Sequence, residues 1–186
     1  MPIRTGLDQR IKSVQIELKE YFEEAKHIYD DAIEAFTKLD SQVYSEAKRA
    51  RAKAREINWD LTNDLLLILA LNQPLMQDLR IIATYLRAVD TVERIIRHAR
   101  DIARSDRSID EDADELPQEI VEPVLEMHQH LNHLIDITIC CLTEGKEVPA
   151  DEVRAHWIQV KNFHAKAVAA LSSLKSDTMG GKAARL

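Results

Sequence analysis

Two acidic residues of one amphipathic segment, Asp90 and Glu93, are the first candidates for chemistry in this sequence. At about 100° per residue, Glu93 projects beside the apolar positions Ile82 and Leu86. Carboxylates on one helix face can share a cation, so one interpretation is a metal site that uses Asp90 and Glu93. The other interpretation, which the pattern favours, is a charged seam in which Glu93 pairs with Arg97 one turn later.

Histidines supply a second set of candidate ligands. Glu126, His130 and His133 form a row on the polar face of a predicted fourth helix, and this row could hold Zn²⁺ if a fourth group came from elsewhere. Exposed histidines without a metal are the favoured interpretation. His128 and His164 project onto the apolar faces of the fourth and fifth helices. This placement predicts a hydrogen-bonded core pair in the interface between those helices rather than a metal site.

Basic side chains are spread along the predicted second and third helices. On the second helix, Lys48, Arg51 and Arg55 share one face. One interpretation is a surface for anions or an acidic partner. The favoured one is a solvated flank, neutralised by acids of the first helix. Because the net charge is −7 and no aromatic residues are interleaved, we predict no nucleic-acid partner. The other residues concerned are Arg80, Arg87 and Arg94 on the third helix and Glu23, Glu24, Asp30 and Asp31 on the first.

The sequence has no constellation typical of an enzyme, so we predict a non-enzymatic protein. It has no Gly-rich phosphate loop and no nucleophile with a partner base, and Glu24–His27 is the single Glu-x-x-His motif where di-iron bundles need two. Cys140 and Cys141 are predicted to be small core residues of a reduced, cytoplasmic protein. No signal peptide is recognisable, and no apolar run approaches the ~18 residues of a membrane helix, so membrane insertion is not predicted.

Five helices must position these residues, and the predicted fold class is all-α. Very short connections between the first three helices force antiparallel neighbours, which gives an elongated antiparallel bundle with a helical hairpin packed alongside. Pro74 is predicted in the first turn of the third helix, and Pro123 predicts a kink or a later start of the fourth. Apolar spacing of three and four places the helices at about residues 7–39, 41–71, 73–104, 117–145 and 151–175.

The chain is predicted to divide into four parts. Residues 1–105 form a three-helix unit and residues 117–176 form the helical hairpin. Between them, residues 106–116 are an acidic connector that has little to bury and is expected to be a solvated loop. Residues 177–186 contain glycine and are poorly amphipathic, so we expect a flexible tail.

The break between the second and third helices carries a resemblance to a known family. The motifs occur in one order over about residues 7–104, and together they resemble one repeat of the PhoU family of phosphate-uptake regulators. The fourth and fifth helices resemble the start of a second repeat, whose third helix does not follow. The motif residues are Leu69-Ala70-Leu71-Asn72-Gln73-Pro74, Asp78-Leu79-Arg80, Glu93-Arg94-Ile95, Ala99 and Ile102-Ala103.

This resemblance implies a cytoplasmic regulator or adaptor of phosphate uptake or phosphate signalling. Members of the family act through protein partners, typically the cytoplasmic side of a phosphate transporter and a sensor kinase. By analogy, the partner-facing residues are Asp78, Arg80, Glu93 and Arg94. Because the partial second repeat lacks its third helix, we expect either a homodimer or packing of both hairpin helices against the first bundle.

The chain departs from the metal-binding pattern of the family. Members with the full pattern hold metal clusters through acidic pairs four residues apart on the second and third helices. Here Glu93 is kept, but Arg97 stands four residues later, and Ala52-Lys53-Ala54-Arg55 occupies the second helix where acids are expected. An arginine at a ligand position repels a cation. The alternative function is a metal-binding bundle that keeps iron or zinc on Asp90 and Glu93; a purely structural interaction module is a third.

Overall fold

The computed structural model of the protein describes residues 5–38, 43–105 and 116–173. Within these ranges the chain forms five helices and no strand, which confirms the all-α prediction. The tail and residues 106–115 of the predicted acidic connector lie outside the described ranges. The last residue of the connector, Leu116, is described and is buried, so the prediction of a solvated loop is wrong there. The helices are α1 (Thr5–Lys38), α2 (Val43–Asn72), α3 (Gln77–Ser105), α4 (Gln118–Glu144) and α5 (Ala150–Ser173).

The turn between α2 and α3 corrects one prediction. Pro74 lies between the helices rather than in the first turn of α3, which begins at Gln77. A residue that precedes proline is disfavoured in a right-handed helix, so α2 ends before Gln73. Gln73 and Met76 both have positive φ, 44° and 45°, which turns the chain sharply at two points. The predicted helix therefore starts several residues too early.

The first three helices pack against one another around one apolar core. Their buried side chains recur at three- and four-residue spacing, so each helix turns one apolar face inward. A second, smaller cluster lies near the end of the bundle away from the α2–α3 turn. Its fully buried residues are alanines, and larger, partly buried side chains pack around them. The largest fully buried side chains of the main core are Leu18, Tyr21, Leu61, Leu65, Ile82, Val89, Val92 and Ile96.

Helix α4 packs antiparallel to α1 and attaches the hairpin to the bundle. Ile135, Ile139 and Leu142 pack against the main core. The side-chain amide of Gln15 donates to the carbonyl oxygens of Leu142, at 3.2 Å, and Thr143, at 2.8 Å. These carbonyls belong to the last turn of α4, where no helical partner is available. The C-terminal end of α4 is thus fixed on α1 by polar as well as apolar contacts.

Three predictions for α4 have different outcomes. The helix runs from Gln118 through Pro123, so the predicted later start is wrong. Gly145 adopts the left-handed conformation, with φ of 65°, and ends the helix as predicted. Cys140 and Cys141 are free and half-buried, so they are not the core residues that the sequence predicts.

Helix α5 is the outermost element and packs against α4. The prediction that both hairpin helices pack against the first bundle is therefore wrong for α5, whose extensive contact is with α4. Val160 and Ala167 are buried against α4, whereas Trp157, Ile158 and Val168 remain about half exposed. The homodimer, the other expected outcome, stays a prediction.

Candidate partner-binding site and acidic cluster

The α2–α3 turn presents a group of large apolar side chains to solvent. Leu71, Leu75 and Met76 are 66%, 63% and 83% exposed, and Leu79 on the first turns of α3 is 47% exposed. We call these four residues the tip patch. Neighbouring exposed apolar side chains of this size are typical of a surface that contacts another molecule. Met76, the most exposed of the four, lies in the turn itself and has a positive φ.

Two of the predicted partner-facing residues, Asp78 and Arg80, lie beside the tip patch. The backbone N–H of Asp78 donates to the carbonyl of Leu75, at 3.0 Å, and that of Arg80 donates to the carbonyl of Met76, at 3.2 Å. An acidic residue in the first turn is favoured by the helix dipole, which accounts for Asp78 at this position. Arg80 is exposed. The tip of the bundle therefore combines an apolar surface with charges of both signs.

Glu93 and Asp90 lie elsewhere, in the middle of the bundle near Tyr21. The Tyr21 hydroxyl donates to the carbonyl of Ala54, at 2.9 Å. Burial raises the pKa of Tyr21 well above its usual value, and the negative charges of Glu93, Glu24 and Asp90 raise it further. These three carboxylates, which we call the acidic cluster, come from α1 and α3. Glu24 therefore acts on the same tyrosine as Asp90 and Glu93, although the sequence did not assign it to the same site.

The four predicted partner-facing residues do not form one site. Asp78 and Glu93 are about four turns apart on α3, which corresponds to roughly 22 Å. Asp78 and Arg80 belong to the tip, whereas Glu93 and Arg94 lie at the level of the acidic cluster. Arg94 is exposed and Glu93 is half-buried. A partner that touched all four would have to lie along the length of α3.

The charged seam that the sequence favours does not form as predicted. Among the described residues, Glu93 has no ion pair with Arg97, and Arg100 pairs with Asp101 instead. The predicted neutralisation of the basic flank of α2 occurs at one point, where the Lys53 ammonium lies 2.8 Å from a carboxylate oxygen of Glu24. Helical spacing alone places Arg97 within reach of Glu93, but it does not determine which rotamer the long arginine side chain adopts.

The predicted core pair of His128 and His164 is wrong. The His128 ring contacts α1, where its Nε2 lies 3.1 Å from Asp30 Oδ1 and its ring centroid lies 5.0 Å from that of Tyr29. The Asn132 amide also donates to Asp30, at 2.6 Å. His164 is exposed on α5. The face of α4 that carries His128 packs on α1, so it is not available to α5.

His128 makes the α1–α4 contact sensitive to pH. Desolvation lowers the pKa of His128 below 6.5, Asp30 opposes this shift, and Lys26 adds to it. Because the folded pKa lies below the unfolded one, the stability associated with neutral His128 is complete above about pH 6.5 and declines as the pH falls below it. We expect urea unfolding at pH 5.5 and 7.5 to differ more in the native protein than in a His128→Gln variant. Equal pH dependence in both would contradict this assignment.

One group of at least three metal-donor side chains lies close together among the described residues: His133, Glu152 and His156. Asp90 and Glu93 are not part of such a group. The sequence pointed to His133 but not to its α5 neighbours. A signal was present, since Glu152 and His156 are four residues apart, and a short connection after Gly145 returns α5 alongside α4.

The comparison with protein families matches the PhoU domain to residues 18–105. Residues 18–105 of this chain are thus similar to the PhoU domain, and the match covers slightly less than half of the chain. The matched region, called the PhoU domain below, includes most of α1 and all of α2 and α3, and it contains both the tip patch and the acidic cluster. Helices α4 and α5 lie outside the match. Searches of curated proteins and of solved structures found no match to the chain. None of the described helices has the length and apolar character needed to cross a membrane.

Proposed function

We propose that this protein belongs to the PhoU family and is a non-enzymatic, cytoplasmic regulator of phosphate uptake or phosphate signalling that binds a protein partner through the tip patch. The family supplies the phosphate connection. The observation that supports this mode of action is the clustering of three strongly exposed apolar side chains, Leu71, Leu75 and Met76, in one turn at the end of the bundle. Trp59, Leu66 and Leu67 are also exposed, but they lie along the length of α2. An apolar surface of this kind is stabilised when a partner removes it from water.

The charges beside the tip patch have a separate role in the proposal. In protein interfaces, apolar residues at the centre supply most of the affinity, whereas charges at the rim select the partner and set its orientation. Asp78 and Arg80 occupy rim positions next to Leu75 and Met76. By the family resemblance, the partner is the cytoplasmic side of a phosphate transporter or a sensor kinase. Glu93 and Arg94 are proposed to contact the partner only where it extends along α3.

Substitution of the tip patch tests the proposal. We expect Leu75→Asp and Met76→Asp to weaken partner binding about tenfold, because a carboxylate in an apolar interface must be desolvated without a counter-charge. In cells whose own copy has been deleted, the native chain should restore normal control of the phosphate-uptake rate, and these variants should not.

Val148→Asp is the matched control, because Val148 is 62% exposed and lies in the α4–α5 connection, outside the PhoU domain. It should restore regulation like the native chain. Circular dichroism verifies that all three variants retain their helices. Full regulation by both tip variants would overturn the proposed docking site.

Metal binding at the acidic cluster is the alternative function. Its support is that Glu24, Asp90 and Glu93 all raise the pKa of Tyr21, and carboxylate oxygens are common ligands of divalent cations. Among the described residues, however, these three acids do not form a group at metal-ligand spacing. The ion pair between Glu24 and Lys53 opposes it, because the ammonium competes with a cation for the same carboxylate. The iron and zinc content of the native protein and of Glu93→Gln tests this alternative.

A homodimer forms a further part of the proposal. The outward face of α5 carries Trp157, Ile158 and Val168, each about half exposed. A second copy of this chain would cover that face and remove these side chains from water. The molar mass of the particle in solution measures this directly.

A further inference from the structure

Four side chains with metal-binding chemistry meet across the α4–α5 hairpin, away from the PhoU domain. His130 and His133 are three residues apart on α4, and Glu152 and His156 are four residues apart on α5. Each spacing places two side chains on one face of its helix. Because α4 and α5 pack against each other, the two faces are opposed. We call these four residues the histidine cluster.

The distances within the histidine cluster are short. His133 Nε2 lies 2.7 Å from Glu152 Oε1, and the rings of His133 and His156 have centroids 4.2 Å apart. One donor atom comes from each of His133, Glu152 and His156, and these three atoms lie within 4.8 Å of one another. Donors around a tetrahedral Zn²⁺ ion are roughly 3.4 Å apart, given bond lengths of about 2.0–2.1 Å. Small side-chain rotations would bring the three groups to that spacing.

His130 has a different position in the cluster. Its Nδ1 lies 2.8 Å from Nδ1 of His156, so one of these nitrogens donates and the other must be unprotonated. A hydrogen bond through Nδ1 leaves Nε2 of His156 available to a metal. Histidine ligands usually donate their second ring N–H to an acceptor, which orients the ring and raises its basicity. The His130 ring also stacks on Phe163, with centroids 5.9 Å apart, and this contact limits its rotation.

The groups around His156 shift its pKa in opposite directions. Desolvation lowers the pKa of His156, the neighbouring His133 and His130 lower it further, and Glu152 acts in the opposite direction. A neutral imidazole is the ligand form of histidine, so metal binding competes with protonation of the ring. Glu152 would add one negative charge to the site. Imidazole together with a carboxylate suits Zn²⁺ better than Mg²⁺ or Ca²⁺, which prefer oxygen ligands.

We propose that the histidine cluster binds one Zn²⁺ ion, with His133, Glu152 and His156 as ligands and His130 as the residue that orients His156. Three protein ligands leave one tetrahedral position for water or for a group of another molecule. The side chains of His133 and Glu152 are 45% and 49% exposed, so the ion can exchange with solution. Because α5 packs mainly against α4, a bound ion would join the two helices of the hairpin.

Calorimetric titration of Zn²⁺ into the chelator-treated, full-length protein tests this site. We expect one ion per chain, about 100-fold weaker binding in His156→Ala, and 10- to 100-fold weaker binding in His130→Ala. His164→Ala is the matched control, since it removes an exposed α5 histidine outside the cluster, and it should bind like the native chain. Glu93→Gln, the control for the acidic cluster, should also bind like the native chain.

Co²⁺ provides a second measurement that does not depend on any variant. The native protein with Co²⁺ should develop the visible absorption of a tetrahedral ion. Failure of the native chain to bind Zn²⁺, or equal binding by His156→Ala and His164→Ala, would overturn the proposal. Loss of binding in Glu93→Gln alone would also overturn it and would assign the ion to the acidic cluster. None of these outcomes depends on the tip patch, so the experiments can overturn the zinc site without affecting the proposed docking site, and the reverse.

Discussion

Leu65→Ala is expected to lower the free energy of unfolding by about 3 kcal/mol, within the range of 2–5 kcal/mol observed when a buried leucine is shortened. Leu65 is 0% exposed and lies in α2 among the core residues of α1 and α3. The substitution removes apolar contact and leaves a cavity that three long, mutually packed helices can close only in part. Urea unfolding followed by circular dichroism measures the loss.

Leu66 provides the matched control, because it is the next residue in the same helix and is 49% exposed. Leu66→Ala makes the same chemical change where little packing is lost, so the free energy of unfolding should fall by less than about 1 kcal/mol. Equal losses in the two variants would show that α2 does not face the bundle as described. The orientation of α2 also determines which side chains reach the tip patch.

The helices themselves were predictable because each must bury one face, and the apolar residues of that face recur every three or four positions in the sequence. The break at Pro74 was predictable for the same local reason, yet the start of α3 was not. Proline has no backbone N–H to donate, so it fits both in the first turn of a helix and in the connection just before it. Only the left-handed conformations of Gln73 and Met76 distinguish the two, and neither residue type signals them.

Contacts between helices were harder to predict than the helices. His128 lies on an apolar face of α4, as the spacing indicates, but periodicity does not state which neighbour covers that face. In the structure α1 covers it, and Asp30 takes the place expected for His164. The histidine cluster was missed for the related reason that its members come from two helices. Glu126 shares the predicted row on α4, but it lies outside the group that includes Glu152 and His156.

Ala99→Leu is expected to destabilise the PhoU domain by about 2–3 kcal/mol. Ala32, Ala47, Ala99 and Ala103 are each at most 2% exposed and form a separate cluster where α1, α2 and α3 meet. Small side chains allow three helix backbones to approach closely, so a leucine there must displace a helix or adopt a strained rotamer. This gives a physical reason for two of the alanines in the motif that suggested the family. Thermal unfolding measures the change.

Ala83→Leu separates overpacking from the general effect of a larger apolar residue, because Ala83 is exposed on the same helix. That variant should unfold close to the native temperature, and similar behaviour of the two variants would contradict close packing at Ala99. The alanine cluster lies roughly 33 Å along α3 from the turn that carries the tip patch. At a temperature where Ala99→Leu remains folded, partner binding should therefore be unchanged, since the substitution alters neither Leu75 nor Met76. A loss of binding under those conditions would mean that the partner occupies the length of α3, including Glu93 and Arg94, and not its tip alone.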